Sequence, residues 1–249
     1  MTEKRTSRLL GAGFIVLILA MIEMAGAAGL INAALIPAPT RVAARLAEIV
    51  LSGSFAQPLL QTLSLLFLAY AIACPLGIAI GLLMGRFRSI HDLLEPLVEM
   101  LRPLPKVALL PPLMLLLGLG IAFKVTIVAL GVIFPVLINT MQGASGVDRT
   151  LVDCARTFGH RGYRVLWLII LPAAAPMIVA GMRVGLAFAL ILVVLAEMLA
   201  GTGGLGYLIV DMQRSFRIVD MYAWLVLLAL LGYGLNAIFV RLERRLIVW

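Results

Sequence analysis

The sequence predicts an all-α integral membrane protein with six transmembrane helices in a single domain, residues 1–249. Of these 249 residues, 63% are hydrophobic and 13% are charged, whereas a soluble domain has roughly 45–50% apolar and about 25% charged residues. Uncharged runs long enough to cross a bilayer, such as 58–84, alternate with short basic segments. The net charge of +8 is spread over those segments, so it does not indicate nucleic-acid binding.

The first apolar run, 9–35, predicts a retained membrane span. It follows a basic N-terminus and is longer than the apolar core of a typical signal peptide. Glu23 lies inside this run, and an acidic residue within a membrane is either functional or a contact between helices. Residues 36–57 then predict an amphipathic helix at the membrane surface, or a simple connector.

The remaining sequence, 58–249, predicts a five-helix core. Three glycines at four-residue steps in its first span predict close packing against another helix; they are Gly77, Gly81 and Gly85. The next span begins in a proline-rich stretch, 91–112, which lipid would not tolerate because prolines leave backbone carbonyls without partners. We interpret this stretch as the cytoplasmic entrance of a broken helix that ends near residue 119. The last three spans are expected at 125–142, 165–196 and 221–240.

The distribution of basic residues predicts the orientation in the membrane. If the N-terminus is cytoplasmic, the interior segments carry more than twice as many lysines and arginines as the exterior ones. Such an excess marks the cytoplasmic side. We therefore expect both termini, and the segment 148–172, to be cytoplasmic.

The segment 148–172 predicts a short amphipathic helix, a glycine break and the start of a further span. Five polar residues recur at steps of three and four and share one helical face: Arg149, Asp153, Arg156, His160 and Arg164. Gly159 and Gly162 interrupt the pattern. Asp148 is placed to cap the helix. The segment is either a basic loop held inside by its charge or a docking surface for a cytoplasmic partner.

The sequence carries none of the motifs that would indicate an enzyme. It contains no GxxxxGK[ST] phosphate loop, no GxSxG and no HExxH. No catalytic residue is predicted. The isolated histidines His91 and His160 predict no metal site, and Cys74 and Cys154 predict no disulfide framework. Ion-coupled carriers usually need intramembrane carboxylates, which are scarce here.

The segment 148–172 resembles the EAA motif, the cytoplasmic loop shared by ABC importer permeases. That motif reads Glu-Ala-Ala, three residues, Gly, nine residues, Ile, one residue, Leu-Pro. The chain has Asp153-Cys154-Ala155, Gly159, Ile169 and Leu171-Pro172 at the same spacing. Asp and Cys stand where the motif has Glu and Ala.

Three further stretches resemble the nitrate/sulfonate/taurine branch of these permeases. They read RPLPKVALLPPLMLLLGLG at 102–120, FPVLINT at 134–140 and AEMLAGTGGLGYLI at 196–209. The resemblance implies a type I ABC importer permease fold with a cytoplasmic coupling helix, in a bacterial inner membrane. It also implies a second permease subunit, two cytoplasmic ATPase subunits that carry ATP and Mg²⁺, and a periplasmic binding protein that delivers a small anionic solute. No cofactor is expected in this chain.

The resemblance also implies roles for particular residues. The coupling contact with the ATPase would be made by Asp153, Cys154, Ala155, Arg156, Phe158, Gly159, His160 and Arg161. The translocation pathway or its gate would include Asn139, Arg183 and Glu197. Arg183 either attracts a passing anion or forms a structural pair, and the glycines after Glu197 either belong to a gate or make turns. A self-sufficient channel or ion-coupled carrier is the alternative to the importer.

Overall fold

The computed structural model describes residues 2–32, 34–160 and 162–246. These residues form helices and no strands, which confirms the all-α prediction. The α-helices are α1 (Thr2–Ala27), α2 (Pro39–Leu51), α3 (Ala56–Arg86), α4 (Arg88–Leu101), α5 (Leu110–Leu117), α6 (Ile121–Ser145), α7 (Arg149–Thr157), α8 (Tyr163–Val165), α9 (Leu171–Ala200), α10 (Leu205–Arg214) and α11 (Ile218–Leu246). A 3₁₀ turn, Lys106–Leu109, precedes α5, and a π turn, Leu166–Ile170, joins α8 to α9.

Four helices of the described chain are long and apolar enough to cross a membrane. They are α3, α6, the continuous helix Tyr163–Ala200 that contains α9, and α11. A fifth crossing is possible if α4 and the segment Lys106–Leu117, which meet at 87°, form one broken span. The apolar part of α1 is the shorter Gly13–Ala27. The helix ends there, before the predicted boundary at 35, because Gly29 turns the chain with φ +71°.

Helix α6 packs between α3 and α9 and forms the centre of the core. The three glycines of α3 face it, as their spacing predicts. A Cβ atom on Gly77 would lie 3.0 Å from the Ile133 carbonyl oxygen, and one on Gly81 would lie 2.6 Å from the Leu137 carbonyl oxygen. A side chain at either position would therefore force the two helices apart.

Helix α2 is a packed element of the protein. Its apolar face, Val42, Leu46 and Ile49, belongs to a cluster with α10 and α11. Its N-terminus is held by Glu23 of α1, whose carboxylate accepts hydrogen bonds from the Thr40 backbone N–H and hydroxyl. The structure thus assigns Glu23 to a contact between helices.

The run before Pro172 is helical throughout. The Leu171 N–H donates to the Leu166 carbonyl, five residues back, which widens one turn just before the proline. The helix Tyr163–Ala200 has 38 residues and is roughly 57 Å long, against about 30 Å of hydrocarbon. Part of it must therefore extend beyond the bilayer core, as the length of the run predicts.

Candidate functional site

The predicted docking segment forms α7 and a glycine turn. The Asp148 carboxylate accepts a hydrogen bond of 2.8 Å from the Thr150 N–H and caps the helix. This hydrogen bond lowers the pKa of Asp148 below its ordinary value. On the surface of the helix, Asp153 pairs with Arg156 at 3.2 Å. Ala155 is buried against the membrane helices, whereas Cys154 is exposed.

Gly159 ends α7 in a Schellman motif. The Gly159 N–H donates to the Arg156 carbonyl and the His160 N–H donates to the Ala155 carbonyl, with Gly159 at φ +85°. This left-handed conformation favours glycine. A Cβ atom on Gly159 would meet no atom of the described chain within 4 Å, so the space beside the turn is open.

Two large hydrophobic residues are exposed on the otherwise polar surface of the docking segment. Phe158 is 84% exposed and Leu151 is 52% exposed, although both are large hydrophobic residues. A cavity of about 580 Å³ lies between α7 and the ends of α3 and α6, and three of its lining residues are Arg86, Arg149 and Arg156. Arg161, the remaining residue of the predicted coupling set, lies outside the described residues. The Nδ1 atom of His160 is buried without a hydrogen-bond partner in the described chain.

Glu197 is the centre of a buried polar cluster where α3, α9 and α10 meet. The residue is buried, with 2% of its surface exposed. The carboxylate accepts hydrogen bonds of 2.9 Å from the Thr62 hydroxyl and the Gly206 N–H. The Thr62 hydroxyl in turn accepts from the Leu205 N–H at 2.9 Å. Side chains of α9 and α3 thus cap the N-terminus of α10, where a negative charge is favourable.

The glycine-rich turn 201–206 is shaped by this carboxylate. Gly204 has φ +95°, and a Cβ atom there would overlap the Glu197 carboxyl group. The glycine is therefore required both by its backbone conformation and by the close approach. Glu197 also lines a small cavity of about 280 Å³, together with Gln61, Lys124 and Thr202 among other residues.

Arg183 forms the structural pair that was one of its two predicted roles. Its guanidinium lies 3.5 Å from the carboxylate of Glu243 on α11. Its side chain is half exposed. This ion pair ties α9 to α11, and a shared role of Asn139, Arg183 and Glu197 in a translocation pathway stays a prediction.

A cavity lies where the chain bends between α4 and α5. It has a volume of about 500 Å³ and lies between the bend, the middle of α6 and the middle of α9. Its polar lining residues are Arg102, Lys106 and Asn139. The proline-rich stretch therefore forms one wall of a cavity against the middle of α6 and α9, and its position at the cytoplasmic entrance of a span stays a prediction.

Lys106 holds the bend in place. Its ammonium group donates to the carbonyl oxygens of Leu101 at 2.7 Å, Leu104 at 3.0 Å and Arg102 at 3.3 Å. It also lies 4.5 Å from the ring centroid of Phe134 on α6. The carbonyls at the end of α4 have no helical partners because Pro103 and Pro105 lack the N–H groups that would bind them. The lysine supplies these missing donors.

The side chains of Asn139 and Arg102 differ in whether their N–H groups donate hydrogen bonds within the described chain. The Asn139 side-chain amide donates to the Pro135 carbonyl within α6 at 2.8 Å. Arg102 is 3.7 Å from Glu99, which is beyond hydrogen-bond distance, and its side chain is 56% exposed. Arg102 and Lys106 were not among the predicted pathway residues. The alternation of prolines and charges in 91–112 was the signal that could have identified them.

His91 is not isolated, in contrast to the sequence-based expectation. Its Nδ1 atom lies 3.4 Å from Glu95 and 3.6 Å from Asp92 on the same helix. The ligand atoms of the three residues lie within 4.8 Å of one another. The group is largely exposed on α4, as ordinary helix-surface ion pairs are, and we assign no metal to it.

Comparison with known proteins places this architecture among transport proteins. The family model described as "Binding-protein-dependent transport system inner membrane component" matches residues 75–248. The chain is 33% identical over 233 residues to the putative aliphatic sulfonates transport permease protein SsuC of Bacillus subtilis, covering 93% of this chain and 84% of that protein. It is 29% identical over 225 residues to the taurine transport system permease protein TauC of Escherichia coli, covering 88% and 82%.

Solved structures of low sequence identity share the fold. An inward-facing form of the MetNI methionine ABC transporter superimposes with a TM-score of 0.66 at 19% identity, covering 75% of this chain and 93% of that chain. An amino acid ABC transporter crystallised with histidines gives a TM-score of 0.61 at 20% identity, covering 81% and 96%. The helical arrangement is therefore shared with these chains of ABC transporters.

Proposed function

The chain belongs to the binding-protein-dependent transport system inner membrane components, and from this premise we propose that it is the permease subunit of an ATP-driven importer. Its solute is a small anion of the sulfonate, taurine or nitrate type, delivered by a periplasmic binding protein. The relatives named for aliphatic sulfonates and taurine support this substrate class, as does a nitrate import permease protein of Synechocystis, 30% identical over 70% of this chain.

ATP hydrolysis takes place on separate subunits in this proposal. The sequence has no phosphate-binding loop, and the chain itself is not an enzyme. Two cytoplasmic ATPases would bind ATP and Mg²⁺, and their closure would switch the permease between inward- and outward-facing states. The chain would cross the inner membrane six times, with α1 and the bent pair α4–α5 as crossings and both termini in the cytoplasm.

Helix α7 is the coupling helix of the proposal, and its uncovered surface is the observation that carries it. Phe158 is exposed next to a left-handed glycine turn, in a segment with the spacing of the EAA motif. Phe158 and Leu151 are exposed together in a segment that the proposal places outside the membrane, where lipid cannot cover them, and this favours a protein partner. An ATPase groove would cover Phe158 and Leu151, while the basic residues of the loop would pair with acidic groups of the ATPase.

Two copies of the chain would form the pathway. A single copy leaves the cavity at the α4–α5 bend open on the side of Val184, which is 45% exposed. A second permease subunit facing this side would close it. Asn139 would line that pathway, whereas Arg183 and Glu197 would maintain the helix arrangement around it.

Loss of ATPase binding in Phe158→Ala is the test of the proposal. The variant protein should keep its stability because Phe158 contacts little of its own chain, yet it should retain roughly tenfold less co-expressed ATPase in a pull-down. Leu51→Ala is the matched control, since Leu51 is 87% exposed at the end of α2. Gly159→Trp should also abolish ATP-coupled uptake in proteoliposomes.

Two results would contradict the proposal. Normal ATPase binding and uptake in both Phe158→Ala and Gly159→Trp would exclude α7 as the coupling helix. Solute transport by the purified chain alone, without nucleotide, would favour the channel or ion-coupled carrier.

A further inference from the structure

The cavity at the α4–α5 bend lies at the depth where a membrane transporter must handle its solute. Phe134 and Phe188 line it, and they stand near the midpoints of α6 and α9 respectively. The bend brings non-helical backbone, residues 102–105, to the same depth. Irregular backbone is tolerated there only where it is buried in protein or lines a water-filled cavity. Broken helices near the midplane commonly form solute sites.

The charge of the cavity lining is entirely positive. Arg102 and Lys106 are its charged residues, and none of the lining residues is acidic. The Lys106 ammonium group donates hydrogen bonds to the carbonyls at the end of α4 and lies over the Phe134 ring. Arg102 keeps its guanidinium donors available, because the nearest carboxylate, Glu99, is 3.7 Å away. A guanidinium with unused donors binds oxyanions through paired hydrogen bonds.

We infer that this cavity is an oxyanion-binding site in the middle of the membrane, with Arg102 as the residue that contacts the anion. Lys106 is a positioning residue, since it fixes the bend that carries Arg102. The rest of the lining is mostly apolar and offers few further hydrogen bonds to an anion. A site with few hydrogen bonds to the solute can release it again. This inference rests on the proposed function for its substrate class, a small sulfonate or a similar oxyanion.

The inference can be tested by the charge preference of thiol labelling in the full-length chain. Val184→Cys places a thiol on the open side of the cavity, in a Cys154→Ser background because the other cysteine, Cys74, is buried. The protein is reconstituted in phosphatidylcholine liposomes. It is treated with 2-sulfonatoethyl or 2-trimethylammonioethyl methanethiosulfonate, and both rates are normalised to those of free cysteine.

The anionic reagent should react roughly tenfold faster than the cationic one, which is the ratio expected for one nearby positive charge in a partly buried site. Arg102→Gln should reduce the preference severalfold, and the remaining charge of Lys106 accounts for any preference that is left. Arg214→Gln is the matched control, an exposed arginine on α10 outside the cavity, and should preserve it. If Val184→Cys does not fold, Val107→Cys offers a second half-exposed position in the same lining.

Soluble methanesulfonate should slow the labelling if a free anion occupies the site. Labelling that is slowed by phosphatidylglycerol in the liposomes, and not by methanesulfonate, would assign the site to a lipid headgroup and overturn its role in transport. Equal rates for the two reagents, or a preference that Arg102→Gln leaves unchanged, would also overturn the inference.

The labelling needs neither ATPase nor binding protein, so its outcome is independent of the proposed function. Uptake by the complete importer provides the separate readout. Arg102→Gln should lower the rate of sulfonate uptake while leaving the amount of bound ATPase unchanged. Failure of ATP-coupled uptake in the unmodified importer would instead count against the proposed function alone.

Discussion

Two charged residues that line cavities of the protein, Glu197 and Arg102, are held in opposite ways. The Glu197 carboxylate is sealed from solvent and hydrogen-bonded to the Thr62 hydroxyl and the Gly206 N–H. The Arg102 guanidinium lies beside a cavity of about 500 Å³ and makes one long ion pair. The first arrangement satisfies the carboxylate within the protein, whereas the second leaves guanidinium donors without hydrogen-bond partners in the described chain.

This difference separates a charge that stabilises the fold from one that is available for function. A buried charge is tolerated only when its hydrogen-bonding capacity is satisfied, and removing one partner then carries a large penalty. A solvated charge contributes little to stability and can be exchanged at small cost. Substitutions in the two regions should therefore differ sharply in their effect on the free energy of unfolding.

The largest effect is expected for Gly204→Ala. The added methyl group would overlap the Glu197 carboxyl group, and the backbone at φ +95° is strained for alanine. We expect a loss of about 4 kcal/mol or failure to fold, measured by thermal unfolding in detergent. Gly118→Ala is the control, because Gly118 also has positive φ but open space around it. Similar losses in both variants would show that backbone strain alone is responsible.

Glu197→Ala should have the next largest effect. It leaves the Thr62 hydroxyl and the Gly206 N–H buried without their acceptor, which costs about 3 kcal/mol. The same change at the exposed Glu95 should alter stability by less than about 0.5 kcal/mol. Unfolding in a graded series of denaturing detergent would compare them, and an equal response would remove the distinction between the two carboxylates.

Lys106→Met should have an intermediate effect. The methionine fills a similar volume but cannot donate to the carbonyls at the end of α4 or interact as a cation with Phe134. We expect about 1–2 kcal/mol of destabilisation and faster hydrogen exchange of the bend. If exchange in residues 102–109 is unchanged, Lys106 does not hold the bend.

Arg102→Gln should have the smallest effect on stability, below about 0.5 kcal/mol, because its ion pair with Glu99 is long and exposed. The same thermal unfolding assay measures it, alongside Arg214→Gln. A loss comparable to that of Glu197→Ala would mean that Arg102 is structural, which would break the contrast between the two regions.

Much of the fold follows from local patterns in the sequence. The uncharged runs predict the long helices, and the glycines of α3 predict their close contact with α6, because only a glycine stripe allows backbones to approach so closely. Asp148 and Gly159 predict the two ends of α7. These are short-range effects that depend on residues within one or two turns.

Other features required contacts between distant parts of the chain. Glu23 meets Thr40, and Arg183 pairs with Glu243 across 60 positions of sequence; the spacing within each helix carries no information about either partner. For the same reason, Arg102 and Lys106 could not be assigned to a cavity whose other walls are α6 and α9.

The sequence by itself determined that the chain is an all-α membrane protein, which segments are apolar, and where α7 begins and ends. Composition and local hydrogen-bonding chemistry are sufficient for those conclusions. Only the tertiary structure decided which charges are satisfied and which are free. That distinction depends on whether a side chain finds a partner on another helix. Glu197 does so on α3 and α10, whereas within the described chain Arg102 pairs with Glu99, three residues away.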